Sequence, residues 1–462
     1  MRHHPLPILI LLSTVLCAAA PASAAGTVDV TKAGVVGDGA TLNTAALQQA
    51  IDACSAQGGG TLTFPTGRYL TGTIQLKDNV TLNLDADAVL LGSPNAADYR
   101  NVDPFTDGSG NTMGYALIVA DGAKHVGVIG AGTVDGQGRL VRAGQTPFKI
   151  RPFLMRWLRC TDVTVKDVHL TNPGAWTLNF FQTHGATVEH VTIRTRTTGL
   201  ANNDGIDLDS CENVHVKDCD IDSGDDALCV KATSPLPSRD ITASGCILST
   251  KCNAIKFGTE SLGDFENVSV TGCQLRNVGM SGIALNSVDG AHLQHVTIAD
   301  ITMDGVAVPI SIRLGSRLKV FRAGDTPKPT GVIRDVTIRN VQAKGVRLIG
   351  FLVNGVPGHP VENITFENVS IVVPGGGTAA DAEVKLQEKE SAYPEYSMFG
   401  KVMPASGLYL RHVRGATFTN VHASVLKPDE RPALALVDVE GLNPPDFSLK
   451  ATAAPPPADA VK

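Results

Sequence analysis

The run Asn202-Asn203-Asp204-Gly205-Ile206-Asp207 is followed about twenty residues later by Ser223-Gly224-Asp225-Asp226. Both lie within a series of repeated short strand patterns. If each repeat is one turn of a stacked coil, Asp204 and the Asp225/Asp226 pair sit on neighbouring turns, about 4.8 Å apart across a sheet. Three carboxylates would then crowd one patch, at a cost in energy. Crowding raises the pKa of one member while another stays ionised. Inverting hydrolysis of a glycosidic bond needs that division: one carboxyl protonates the leaving oxygen, and one carboxylate activates water on the opposite face. Asp also serves turns structurally, and clustered Asp can hold calcium. Two acidic motifs one coil apart, each running into an apolar strand (Ile206-Asp207-Leu208 and Ala227-Leu228-Cys229-Val230), favour catalysis over both.

The strands that would carry these residues share one theme. It reads Asp162-Val163-Thr164-Val165-Lys166-Asp167-Val168, then Ala186-Thr187-Val188-Glu189-His190-Val191, then Asn213-Val214-His215-Val216-Lys217-Asp218-Cys219. Copies continue from Asp240 and Asn267, and later near Asp335, Asn363 and Ala416. Apolar and polar residues alternate, then Asn, Asp or Gly breaks the run, with a period of about 23 to 28 residues. That length suits a solenoid whose turns each contribute several short strands. The Leu/Asn signature of leucine-rich repeats is absent, so the expected class is all-β, a right-handed parallel β-helix. An amphipathic helix across Thr41 to Gly58 would cap the open end of its core. Long Pro/Gly/charge-rich stretches at about 303–331 and 374–407 interrupt the repeats and are expected to wall a groove. His190, His215 and His295 fall on outward positions. Gly130-Ala131-Gly132 and Gly136-Gln137-Gly138 read as turns with no helix following, and no zinc spacing or Ser-His-Asp elbow is visible.

Composition agrees with this class. The 462 residues include 47 Gly, 5% aromatics and 18% charged side chains, with a net charge of −6. That balance gives no argument for nucleic acid, and a polyanionic ligand would need a local basic groove. Arg2, His3 and His4 before an apolar stretch from Leu6 to Ala20, closed by Ala22-Ser23-Ala24, read as an export signal over 1–24. A single domain is expected over 25–450 and a disordered tail over 451–462. The protein is therefore expected to be secreted or periplasmic, free of the membrane and monomeric. Without Cys17, eight of the nine cysteines remain; Cys219, Cys246 and Cys273 recur every 27 residues, as an inward stack of small side chains would. One or two bridges elsewhere, through Cys252 or Cys229, stay open.

Four motifs, Arg151-Pro152-Phe153, Asn172-Pro173-Gly174-Ala175-Trp176-Thr177, Asn202 to Asp207 and Gly224-Asp225-Asp226-Ala227, stand in an order and spacing that resemble glycoside hydrolase family 28. The likeness to this polygalacturonase family, and to its bacterial pectin-degrading branch, runs from about Val28 to Val425. It implies a pectin-lyase-like, single-stranded β-helix and an inverting hydrolase needing no metal or cofactor. A pectic polysaccharide or oligosaccharide is the implied substrate. Carried onto this chain, Asp225 is expected to be the general acid, with Asp204 and Asp226 holding the water and Asn202 supporting them.

Two stretches depart from the family pattern. Its Gly-His-Gly is replaced around Asn253, and its carboxylate-gripping Arg-Ile-Lys is replaced by Ala284-Leu285-Asn286. Each lost charge-assisted contact costs about 1.5–3 kcal/mol. Lys231, Lys256 and Arg313 are expected replacements, with Glu260 beside Lys256 and Trp176 as a stacking platform; solvated charge and corner packing are the plainer readings. The expected activity is cleavage of α-galacturonosyl or rhamnogalacturonan-type linkages. A calcium-dependent lyase and a non-catalytic polysaccharide-binding β-helix are the alternatives.

Overall fold

The computed structural model describes residues 26–451 apart from 144, 146–149, 444 and 445. The expected export signal lies outside the described residues. So does the expected tail except Ala451, which closes the strand Phe447–Ala451.

Each coil lays its strands in parallel against those of the next, producing three stacks. One passes through Glu212–Lys217, Ser238–Ser244 and Phe265–Thr271, and a second through Asp220–Ser223 and Ile247–Thr250. The third passes through Leu178–Phe181, Ile206–Asp209, Leu228–Ala232 and Ile255–Ser261. This is the parallel β-helix that the repeat period predicts. Alternation sends Val163, Val165, Val214, Val216, Ile241, Val268 and Val270 into one continuous core along the axis.

The Asn/Asp/Gly breaks have a backbone cause. Asp162, Gly185, Asn213, Asp240, Asn267, His295, Asp335, Asn363 and Gly415 occupy the same corner of successive coils, and all have positive φ, between 51° and 76°. Gly, Asn and Asp reach that left-handed region at least cost. The corners also bond to each other: Asn267 Nδ2 donates to Asp240 Oδ1, and Asn363 Nδ2 to Asp335 Oδ1, both at 3.1 Å.

The capping helix spans Thr44–Ala56 and buries Leu47, Ala50, Ile51 and Cys54 over the end of the core. It stops at Gly58 and Gly59. A Cβ on Gly59 would lie 2.2 Å from that of Asn79, so only glycine fits there. Cys219, Cys246 and Cys273 stack inside the core as their spacing predicts. The cysteines from Cys54 to Cys273 are all free thiols, so no bridge forms through Cys252 or Cys229.

Three features differ from the sequence reading. The strand His292–Leu314 runs through the first part of the first expected interruption, because Ile310, Ile312 and Leu314 keep pointing into the core; that excursion is 315–331. A short helix, Gly138–Arg142, does follow Gly136-Gln137-Gly138. The strands Arg100–Thr106 and Thr112–Asp121 form an antiparallel hairpin, a departure from the parallel scheme. The second interruption is where expected, between the strands Val361–Gly375 and Leu408–Lys427. No helix among the described residues is long and apolar enough to cross a membrane.

Candidate active site

The acidic residues stand where the third stack begins its strands. The amide of Gly205 donates to Asp226 O at 2.8 Å, that of Ala227 to Asn253 O at 2.9 Å, and that of Ala254 to Ser281 O at 3.0 Å. Asp204, Asp226 and Asn253 therefore follow one another on consecutive coils. Asp204, Asp225 and Asp226 all line one cavity of about 280 Å³, together with Asn202, Trp176, Lys231, Lys256 and Glu260. A larger groove of about 670 Å³ lies on the second stack, but its charged lining is Arg276, Asp304 and Lys344, without an acidic cluster.

Charge is divided unevenly among the carboxyls. Burial, then Asp226, pushes the Asp225 pKa up, with Lys256 opposing. Burial would raise Asp226 as well, but Lys256 and Lys231 outweigh it and hold Asp226 below its ordinary value. Lys256 Nζ is 2.8 Å from Asp226 Oδ2, and Asn253 donates to Asp226 Oδ1 through its backbone amide (2.9 Å) and its Nδ2 (2.8 Å). Asp225 accepts from the amides of Asn202 (3.1 Å) and Asp226 (2.9 Å). Asp204 is raised well above the carboxylate range by burial and by Asp207 and Asp225, against Lys231. Burial and mutual repulsion thus favour the protonated form of Asp225 and Asp204, while Lys256 favours the ionised form of Asp226.

Lys231 is a hub. Its ammonium lies 3.5 Å from both Asp204 and Asp207 and 3.2 Å from Glu260. Burial opposes its charge, but Glu260, Asp207 and Asp204 keep the lysine pKa well above normal. Glu260 is also held by the Gly108 amide at 2.6 Å. Its burial is outweighed by Lys231 and that bond, and its pKa falls to about 2.

Trp176 is only 2% exposed and packs on Phe105 and Phe153. Lys231 Nζ stands 4.4 Å from its ring centroid, so a cation already occupies a ring face that sugar would use. Asn253 is fully buried and reaches Asp226 from behind the cavity wall. Arg313 is not brought to the cavity. Its guanidinium donates to Asn354 and to the backbone carbonyls of Gly355, Glu388 and Lys389, at 3.0–3.2 Å. Arg313 and Arg411, which donates to Leu386 O and Gln387 O, together fasten the base of the 376–407 arm. Ala284 and Asn286 are buried, and Asn286 donates to Phe257 O.

Sequence reasoning missed several lining residues. Asp107 and Ser109 come from the hairpin tip, Tyr393 and Glu395 from the arm, and Cys252 and Met280 from the rims of the coils. Glu395 Oε1 lies 3.3 Å from both Lys256 Nζ and Asn253 Nδ2. The Tyr393-Pro394-Glu395 tripeptide was the available signal: an aromatic, a turn-former and an acid inside a long excursion.

Comparison with known proteins agrees with the geometry. The family model for glycosyl hydrolases family 28 matches residues 54–392. The chain is 30% identical over 367 residues to a probable polygalacturonase of Vitis vinifera, covering 73% of this chain and 72% of that protein. Its fold is similar to the family 28 exopolygalacturonase of Yersinia enterocolitica (TM-score 0.70, 19% identity, 92% of this chain and 79% of that one). It is also similar to a hyperthermoactive exopolygalacturonase of Thermotoga maritima (TM-score 0.64, 22% identity, 75% and 87%). A coiled scaffold that presents three clustered acids, and a family match running through all of them, lead to one assignment: the chain belongs to glycosyl hydrolases family 28, the pectin-degrading polygalacturonase family of glycosidases.

Proposed function

We propose that this glycosidase cleaves α-galacturonosyl or rhamnogalacturonan-type linkages by inversion, without a metal. Asp225 donates its proton to the leaving oxygen. Asp226, kept ionised by Lys256, takes a proton from the attacking water, and Asp204 helps hold that water. Asn202 fixes the acid through its backbone bond to Asp225 and is itself held by Arg151, whose Nη2 donates to its Oδ1 at 2.7 Å. Lys231 and Glu260 orient Asp204 from below. The observation that carries this reading is that two adjacent carboxyls of one cavity have different partners: Lys256 Nζ lies 2.8 Å from Asp226, while Asp225 accepts from the amides of Asn202 and Asp226.

The chemistry of the cluster disfavours a calcium lyase. Asp225, Asp226 and Cys252 present close ligand atoms, but Ca²⁺ takes six to eight oxygens, and the Lys256 ammonium already sits on Asp226. The protein acts as an exported monomer, in the periplasm or outside the cell, on a pectic glycan. Proton NMR of the first product tests the mechanism: the β-anomer is expected before mutarotation, and an unsaturated product or chelator-sensitive activity would exclude it. Asp225→Asn should lower kcat by about a thousandfold or more, in line with loss of a general acid, with circular dichroism unchanged. A non-catalytic binder would show no such loss.

A further inference from the structure

We infer that the sugar ring seated against Asp225 and Asp226 is uncharged: a neutral pyranose such as a rhamnosyl unit, or a galacturonosyl unit whose carboxyl is esterified. The inference rests on the hydrolase reading above and specifies its substrate class. Six carboxyl groups line the cavity, from Asp107, Asp204, Asp225, Asp226, Glu260 and Glu395. Only two ammonium groups, from Lys231 and Lys256, line it with them.

Neither ammonium is open to a uronate. Lys231 is already shared by Asp204, Asp207 and Glu260. Lys256 is shared by Asp226 and by Glu395, which descends on it from the arm. Both lysine side chains are at most 5% exposed, so water does not screen these pairs well. The nearby guanidiniums are spoken for as well. Arg317 is bound to Asp289 and Thr259 O and Arg313 to the arm's backbone; Arg151 stands outside the cavity lining, behind Asn202, to which it donates.

Even with Asp225 carrying its proton, a carboxylate entering this space would face more carboxyls than ammoniums. To gain a cation it would have to expel Glu395 from Lys256. Glu395 thus fills, from within the protein, the place that an anionic sugar substituent would take. Hydroxyls and methyl groups meet no such repulsion.

The test compares three substrates at low ionic strength with the full protein: a rhamnose-terminated rhamnogalacturonan oligosaccharide, trigalacturonate, and fully methyl-esterified trigalacturonate. At least one uncharged terminus should give kcat/KM about thirtyfold or more above trigalacturonate, since like charges brought together cost several kcal/mol. Which of the two is cleaved distinguishes a neutral sugar from an ester. Equal or better turnover of trigalacturonate overturns the inference while leaving the hydrolase reading intact. No turnover of any pectic fragment overturns both. A second measurement follows inhibition by free galacturonate. Glu395→Gln should tighten its Ki about tenfold, equivalent to about 1.4 kcal/mol, by freeing Lys256. An unchanged Ki, or tight inhibition of the unaltered protein, counts against the inference.

Discussion

Single side chains in this site are defined by what stands behind them. Asp226 differs from Asp225 chiefly because Lys256 touches one of its oxygens. Replacing Lys256 by Met removes the main influence holding Asp226 low. Its pKa should rise, and because the base must be ionised, the acid limb of the kcat/KM profile should move to higher pH. An unmoved limb would mean that another group sets it. Asp207, fully buried behind the cavity, is pushed by burial to about 7 against the pull of Lys231. Its folded-state pKa is raised, so the folded protein binds more protons than the unfolded chain between the ordinary value of 3.8 and about 7. Stability from this group falls as pH rises through that window. Asp207→Asn should flatten the fall in Tm between those pH values, measured by calorimetry. Glu260 works in the opposite sense: its depressed pKa gives stability that is lost as pH drops toward about 2.

The strands and excursions show why part of the site was legible in the sequence. Asp204, Asp225 and Asp226 were readable because their separation equals one coil, and a parallel ladder converts that spacing directly into adjacency. The corner residues were readable because left-handed backbone selects Asn, Asp and Gly locally. Asn363→Ala keeps the fold but forces Ala into φ 51°, at a cost of about 1 kcal/mol; a small drop in Tm is expected. Asp107 was not readable, and Glu395 only as part of the Tyr393-Pro394-Glu395 signal, since each reaches the cavity on an excursion whose path depends on distant anchors. Arg313 was misplaced for the same reason. A cation next to a strand end looks available until the arm's carbonyls are seen to claim it. Arg313→Met should loosen that arm, speeding proteolysis within 376–407 and lowering kcat/KM about tenfold, as misplacement of positioning groups does. Trp176 shows a similar limit: its ring was visible in the sequence, but the Lys231 ammonium over it was not.

Across the whole molecule, the repeat period predicted the solenoid and the Cys219–Cys246–Cys273 stack, because each coil sees only its neighbours, and the amphipathic pattern before the repeats predicted the capping helix. The hairpin Arg100–Thr106/Thr112–Asp121 breaks that one-dimensional rule and was missed accordingly. The amide-to-carbonyl rungs through Asp204, Asp226 and Asn253 have a further consequence. Asp204, Asp225 and Asp226 hang from the ladder that also carries the core, so no hinge lies between them and thermal motion cannot part them short of melting the coil. The walls around that cluster come instead from the hairpin tip with Asp107 and the fastened arm with Tyr393 and Glu395. Those walls can be remodelled, for instance at the rivets Arg313 and Arg411, while the acidic cluster stays as fixed as the spine.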